Sequence, residues 1–178
     1  GFLGQPGDLF YELPQHEEEG LLFLGIATDE LEKGIFAGDQ VQMNLTSVDG
    51  PGHVYLYATD TFGSPVVMFN SADGISEADK FVTKAGAHAH QSMAFSEAGT
   101  YRVGFNFSGK LAANGLNIIS QEYELLFEVI KKRTILSEGE VDLEIVYEDG
   151  QWAAELLAHA VEDDHGDDHG DDHGDDHG

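Results

Sequence analysis

The chain has 178 residues, 41% of them hydrophobic, no cysteine and a formal charge of −26. That is enough length and apolar content for one domain with a core, and the missing thiols exclude disulfides, thiolate metal sites and a cysteine nucleophile. The nine acids from Glu162 onward leave 25 acids against 8 bases before them, a balance of −17, so the body itself repels nucleic acid and anionic lipid and favours cations.

Along the chain, alternation of apolar and polar residues dominates. "ATDELEKG" is a candidate for one or two helical turns, with Thr28 as cap and Gly34 as stop. "VQMNLTSV" then sets Val41, Met43 and Leu45 on one strand face and Gln42, Asn44 and Thr46 on the other. "HVYLYAT" reads as a buried strand. "SEADKFVTKAG" is a second helical candidate. "TYRVGFNFSG" puts Tyr101, Val103, Phe105 and Phe107 on one side, and "EYELLFEVI" is a strand from Glu122 to Ile130. "VDLEIVYEDGQWAAELLAH" reads as a hairpin turning at Asp149-Gly150, where a tight two-residue turn needs positive φ. Turn clusters such as "DGPG", "TFGSP", "SADG" and "SEAGT" separate these runs. Many short strands, glycine-rich turns and few helices predict an all-β fold, an antiparallel β-sandwich with short connecting helices. No apolar run reaches the roughly 18 residues that a membrane-spanning helix needs.

Two features carry candidate chemistry. "HAH" places His88 and His90 on the same face of a strand, about 7 Å apart at a rise of roughly 3.4 Å per residue. They can share a transition metal if a third ligand arrives from elsewhere, with His53, Asp60 and Asp73 as candidates. The alternative is that both imidazoles simply hydrogen-bond to loop carbonyls. The tail holds four copies of Asp-Asp-His-Gly. Its carboxylates, represented by Asp164, Asp168, Asp172 and Asp176, suit Ca²⁺, and its imidazoles His165, His169, His173 and His177 suit Zn²⁺ or Cu²⁺. A glycine in every fourth place and paired acids oppose a helix there. "HEEE" at His16–Glu19 reads as a solvated turn.

No G-x-S-x-G elbow surrounds Ser92, and the sequence lacks H-E-x-x-H and a phosphate-cradling glycine loop ending in Lys. The expectation is a protein that is not an enzyme.

The runs "GLLFLGIATDELEKGIFAGDQVQMNLTSVDGPGHVYLYATDTFGSPVVMFNSADG" and "GAHAHQSMAFSEAGTYRVGFNFSG" resemble the choice-of-anchor M family, an actinobacterial-type surface-anchored repeat. The resemblance covers roughly Phe2 to Ile130, through the LLFLG strand, the GPG and DG turns, the H-x-H pair and F-x-x-x-G-x-Y, and Met93 stands where that family carries an aromatic residue. It implies export, display at the cell surface and no catalysis. Some members neighbour metal-uptake transporters. In that family a segment like Val141–His159 precedes an "FLG…LPQ" segment, whereas here it follows. With Gly1 in place of an initiator Met, the chain is expected to be a processed product or a unit cut out of register from a longer array.

The expected organisation is therefore a β-sandwich domain over residues 1–133, a C-terminal hairpin over 134–160 that links subunits, and the Asp/His tail over 161–178. The expected function is a non-enzymatic extracellular structural protein whose partners are other copies of itself and divalent cations (Ca, Zn or Cu), assembling head to tail into filaments. The alternative is a metal-capture protein that delivers Zn or Cu to an uptake transporter.

Overall fold

The computed structural model describes residues 1–5, 7–130, 139–148 and 150–159. Thirteen strands account for most of them: β1 (Tyr11–Leu13), β2 (Leu22–Ala27), β3 (Phe36–Asp49), β4 (Val54–Thr59), β5 (Pro65–Asn70), β6 (Lys80–Lys84), β7 (His88–His90), β8 (Ser92–Phe95), β9 (Gly99–Leu111), β10 (Asn117–Ile119), β11 (Tyr123–Val129), β12 (Gly139–Glu148) and β13 (Gln151–His159). The fold is all-β, in three sheets. The first runs β1-β8-β4-β5; the second runs β10-β9-β3-β6, with β11 also on β9; the third runs β13-β12-β2-β7. Every pairing is antiparallel except β12 with β2, which is parallel.

The alternation read from the sequence produces this packing. Val41, Met43 and Leu45 of β3 are buried, as are Tyr101, Val103, Phe105 and Phe107 of β9. One apolar cluster draws Leu24 and Ile26 from β2, Leu56 from β4, Phe105 from β9 and Leu143 and Ile145 from β12, so all three sheets share it. The residues between them on β3 and β9 turn outward, and Gln42 donates to Ser108 while Asn44 donates to Asn106.

Neither helical candidate is a helix. Among the described residues the helical piece is one 3-10 turn, Ser71–Asp73. Thr28, expected as a helix cap, is fully buried instead; its hydroxyl lies 2.6 Å from the Lys84 carbonyl oxygen and accepts from the Ala87 N–H. It ties the β2 exit to the β6–β7 turn and thereby satisfies backbone groups that a helix would have satisfied internally. In "SEADKFVTKAG", Phe81 enters the core while Lys80 and Val82 face out, a period of two that β3 captures by pairing with β6.

The C-terminal hairpin lies within its own chain's sheet. β12 runs beside β2, with Leu143 opposite Ile26. Leu143 and Ile145 are 4% and 2% exposed, a burial of about 1.5–3 kcal/mol each as an upper figure. Tyr123 on β11 donates to the Trp152 carbonyl oxygen at 2.7 Å, and the Trp152 ring stacks on Phe36. Leu143 and Ile145 of the hairpin expected to link subunits are thus covered by β2 and the core of their own chain. Gly150 takes φ 77° at the hairpin turn, as a two-residue connection requires; its partner Asp149 lies outside the described residues.

Candidate metal centre

Three neighbouring strands build the site, and their register dictates its contents. Gly25 on β2 sits opposite Asp142 on β12 and opposite His90 on β7. Ala27 sits likewise opposite Glu144 and His88. Because Leu24 and Ile26 point into the core, Gly25 and Ala27 face the other side of the sheet. At Gly25 and Ala27 the middle strand therefore offers no side chain larger than a methyl group, and the longer side chains of the two flanking strands close over these two positions.

The closure is tight. His88 Nε2 lies 2.8 Å from Asp142 Oδ1. A Cβ placed on Gly25 would stand 1.9 Å from that same oxygen, 2.8 Å from His88 Nε2 and 3.0 Å from His90 Cε1. One ligand atom from each of His88, His90 and Asp142 lies within 4.8 Å of the others. The His88 and His90 rings stand 4.9 Å apart, and His90 is clamped by Phe23, stacked at 3.7 Å and 7°. Asp142 is buried (side chain 5% exposed), whereas His88 opens to solvent at 34%.

The surroundings are anionic. Asp29 Oδ2 lies 3.8 Å from His88 Nδ1. The buried Glu144 accepts from the Glu30 N–H at 3.2 Å. Burial raises the Glu144 pKa, and the neighbouring charges of Asp29, Glu30 and Asp142 push it further the same way against that hydrogen bond. A divalent cation would relieve this repulsion.

The donor set fits a transition metal. Two imidazoles and one carboxylate are a known open zinc set, with bonds of about 2.0–2.1 Å. Tetrahedral geometry at that length puts ligand atoms about 3.3 Å apart. The observed separations bracket that value, at 2.8 Å for one pair and no more than 4.8 Å for any. Ca²⁺, which takes six to eight oxygens, matches this set poorly.

Of the residues singled out in the sequence, His88 and His90 are brought together, and Asp142 takes the place sought for a third ligand. His53 immediately precedes β4, whose sheet holds none of β2, β7 and β12; its N–H donates to Ser96 Oγ. Asp60 accepts from Phe62 and Ser64 N–H in the β4–β5 turn, and Asp73 accepts from Asn70. The tail residues Asp164, His165, Asp168, His169, Asp172, His173, Asp176 and His177 lie outside the described residues. Asp142, Glu144 and Gly25 were missed. The available signal was a pair of acids at alternate positions in "VDLEIVY" and a lone glycine inside the apolar run "LLFLGIA".

Comparison with known proteins adds no relative: no family model matches the chain, and neither a curated protein nor a solved structure matches it.

Proposed function

We propose that this is an exported, non-enzymatic β-sandwich protein that binds Zn²⁺ or Cu²⁺ through His88, His90 and Asp142 and serves metal capture at the cell surface. The observation that carries the reading is the side-chain-free floor at Gly25, over which two imidazoles and a buried carboxylate converge. The sandwich arrangement is supported by the shared core of the three sheets and the outward polar ladder on β3 and β9. Export and surface display rest on the resemblance drawn from the sequence.

Capture is favoured over a buried structural ion by the openness of the site. Three protein ligands leave a coordination position free, and the His88 side chain is 34% exposed to solvent. Asp29 stands 3.8 Å from His88, and Asp29, Glu30 and Asp142 crowd negative charge around Glu144, which raises the local cation concentration. Burial of Leu143 and Ile145 of the hairpin within its own chain favours this reading over assembly through the hairpin.

The test is titration calorimetry with zinc and copper on the full chain carrying serine at the four tail histidines. One high-affinity ion per chain is expected, and it should be lost in His88→Ala/His90→Ala with the circular dichroism unchanged. Equal binding with and without those two imidazoles would overturn the assignment.

A further inference from the structure

The outward face of the second sheet forms an open groove of about 880 Å³, within the range of ligand sites (about 300–1,000 Å³). It lies on a different sheet from the metal centre, which is built on β2, β7 and β12. Strand pairing stacks its side chains in rows. Val82, Gln42 and Ser108 form one row, with Ile119 beyond; Lys80, Asn44 and Asn106 form the next. Gln40 and the paired Lys110 and Asn117 extend the groove at one end.

We propose that this face binds an acidic oligosaccharide, a hydroxyl-rich ligand bearing spaced carboxylates. Charge supplies the first argument. The body is strongly acidic, yet three of the five basic residues among the described ones stand on this face: Lys80 on β6 and Lys110 at the end of β9 line the groove, and Lys84 on β6 sits opposite Gln40; against them stand Glu77 in the lining and Glu122 beside Thr46. At physiological salt, charges beyond about 8 Å are largely screened, so this local balance decides what docks.

The amides supply the second argument, and they select the ligand class. Gln42 Nε2 donates to Ser108 Oγ at 2.9 Å, and Asn44 Nδ2 donates to Asn106 Oδ1 at 2.8 Å and to Ser108 Oγ at 3.0 Å. These bonds hold the carboxamides in place before any ligand arrives, which lowers the ordering cost of binding. Among the described residues, Gln42 Oε1, Asn44 Oδ1 and Asn106 Nδ2 make no hydrogen bond. The groove thus offers acceptors and donors side by side. A sugar hydroxyl both donates and accepts and uses both kinds. An acidic peptide has only its backbone N–H groups to donate, and its carboxylate side chains, which only accept, would be opposed by Gln42 Oε1 and Asn44 Oδ1. Val82 and Ile119, 47% and 67% exposed, offer apolar contact to the C–H faces of a ring. No aromatic platform lines the groove among the described residues, so affinity rests on hydrogen bonds and charge and must fall with salt.

Calorimetry in EDTA with short galacturonate oligosaccharides tests this on the full chain, with neutral galactose oligosaccharides and polyglutamate as controls. Galacturonate should bind, more weakly at high salt, and better than either control. Gln42→Ala/Asn44→Ala, which removes two neutral hydrogen-bonding groups, should weaken it roughly tenfold or more. Lys80→Ala/Lys110→Ala, at exposed positions, should weaken it comparably and reduce the salt dependence, with circular dichroism unchanged. The proposal is overturned by absence of galacturonate binding, by polyglutamate binding as tightly (a charged surface for acidic peptide), by neutral sugar binding as tightly, or by indifference to both double variants in folded protein.

Discussion

Gly25→Ala is the most informative single change, because it adds one methyl group where the site has no room for one. The new Cβ would lie 1.9 Å from Asp142 Oδ1 and 2.8 Å from His88 Nε2. Ordinary contact needs more than about 3 Å, so the carboxylate must retreat by about 1 Å or more, whereas coordination distances tolerate only about ±0.2 Å. The backbone does not resist the change, since Gly25 is not among the positive-φ glycines. Overpacking of this kind costs about 1–3 kcal/mol, which in a chain of this size lowers Tm by roughly 2–12 °C at 2–4 °C per kcal/mol. Loss of one of three ligands should lower zinc affinity by at least the roughly 10–100-fold seen when the support of a ligand is removed. Calorimetry on the chain with serine at the tail histidines, alongside a thermal melt, reads both effects. Unchanged zinc affinity in a folded Gly25→Ala protein would refute the reasoning.

Other expectations follow from the same geometry. Asp142→Asn keeps the shape of the side chain but removes its charge, and should cut zinc affinity about 10–100-fold with little loss of secondary structure by circular dichroism. Saturating zinc should slow amide hydrogen exchange in β12, because Asp142 lies on that strand and His88 and His90 on β7; exchange unaltered by zinc would count against the clamp. Tyr57→Phe removes a 2.5 Å hydrogen bond to the Glu12 carboxylate and should cost about 1.5–3 kcal/mol in a denaturant melt. Tyr55, Tyr57 and Tyr101 all have pKa values raised first by burial. Their contribution is therefore complete below the unfolded tyrosine value of about 10 and is lost as pH rises beyond it. Thermal melts across that range should show falling stability, less steeply in Tyr57→Phe.

The strands were legible because alternation is a local signal. Val41, Met43 and Leu45, and Tyr101 through Phe107, announce a buried face without reference to any partner. The helical candidates failed because "ATDELEKG" has the composition of a capped turn, while the hydroxyl of Thr28 is taken by Lys84 and Ala87, more than 50 residues away. Half of the candidate metal site was legible in the same way, since two histidines two apart on a strand must share a face. Its other half was not. Asp142 reaches His88 across 54 residues through a parallel pairing of β12 with β2, and no local pattern sets the register of such a pairing. Gly25 looked like a weak point in a strand until its neighbours on both sides were known. The amide ladder on β3 and β9 was visible as the polar face of two strands, but its lysine flanks come from β6 and the end of β9.

The decisive measurement is anomalous diffraction at the zinc edge from crystals of the full chain grown with zinc. A peak about 2.0–2.1 Å from one nitrogen each of His88 and His90 and from a carboxylate oxygen of Asp142 is expected. Zinc bound elsewhere in the chain, with His88 Nε2 still 2.8 Å from Asp142 Oδ1 and no density between them and His90, would contradict the metal centre.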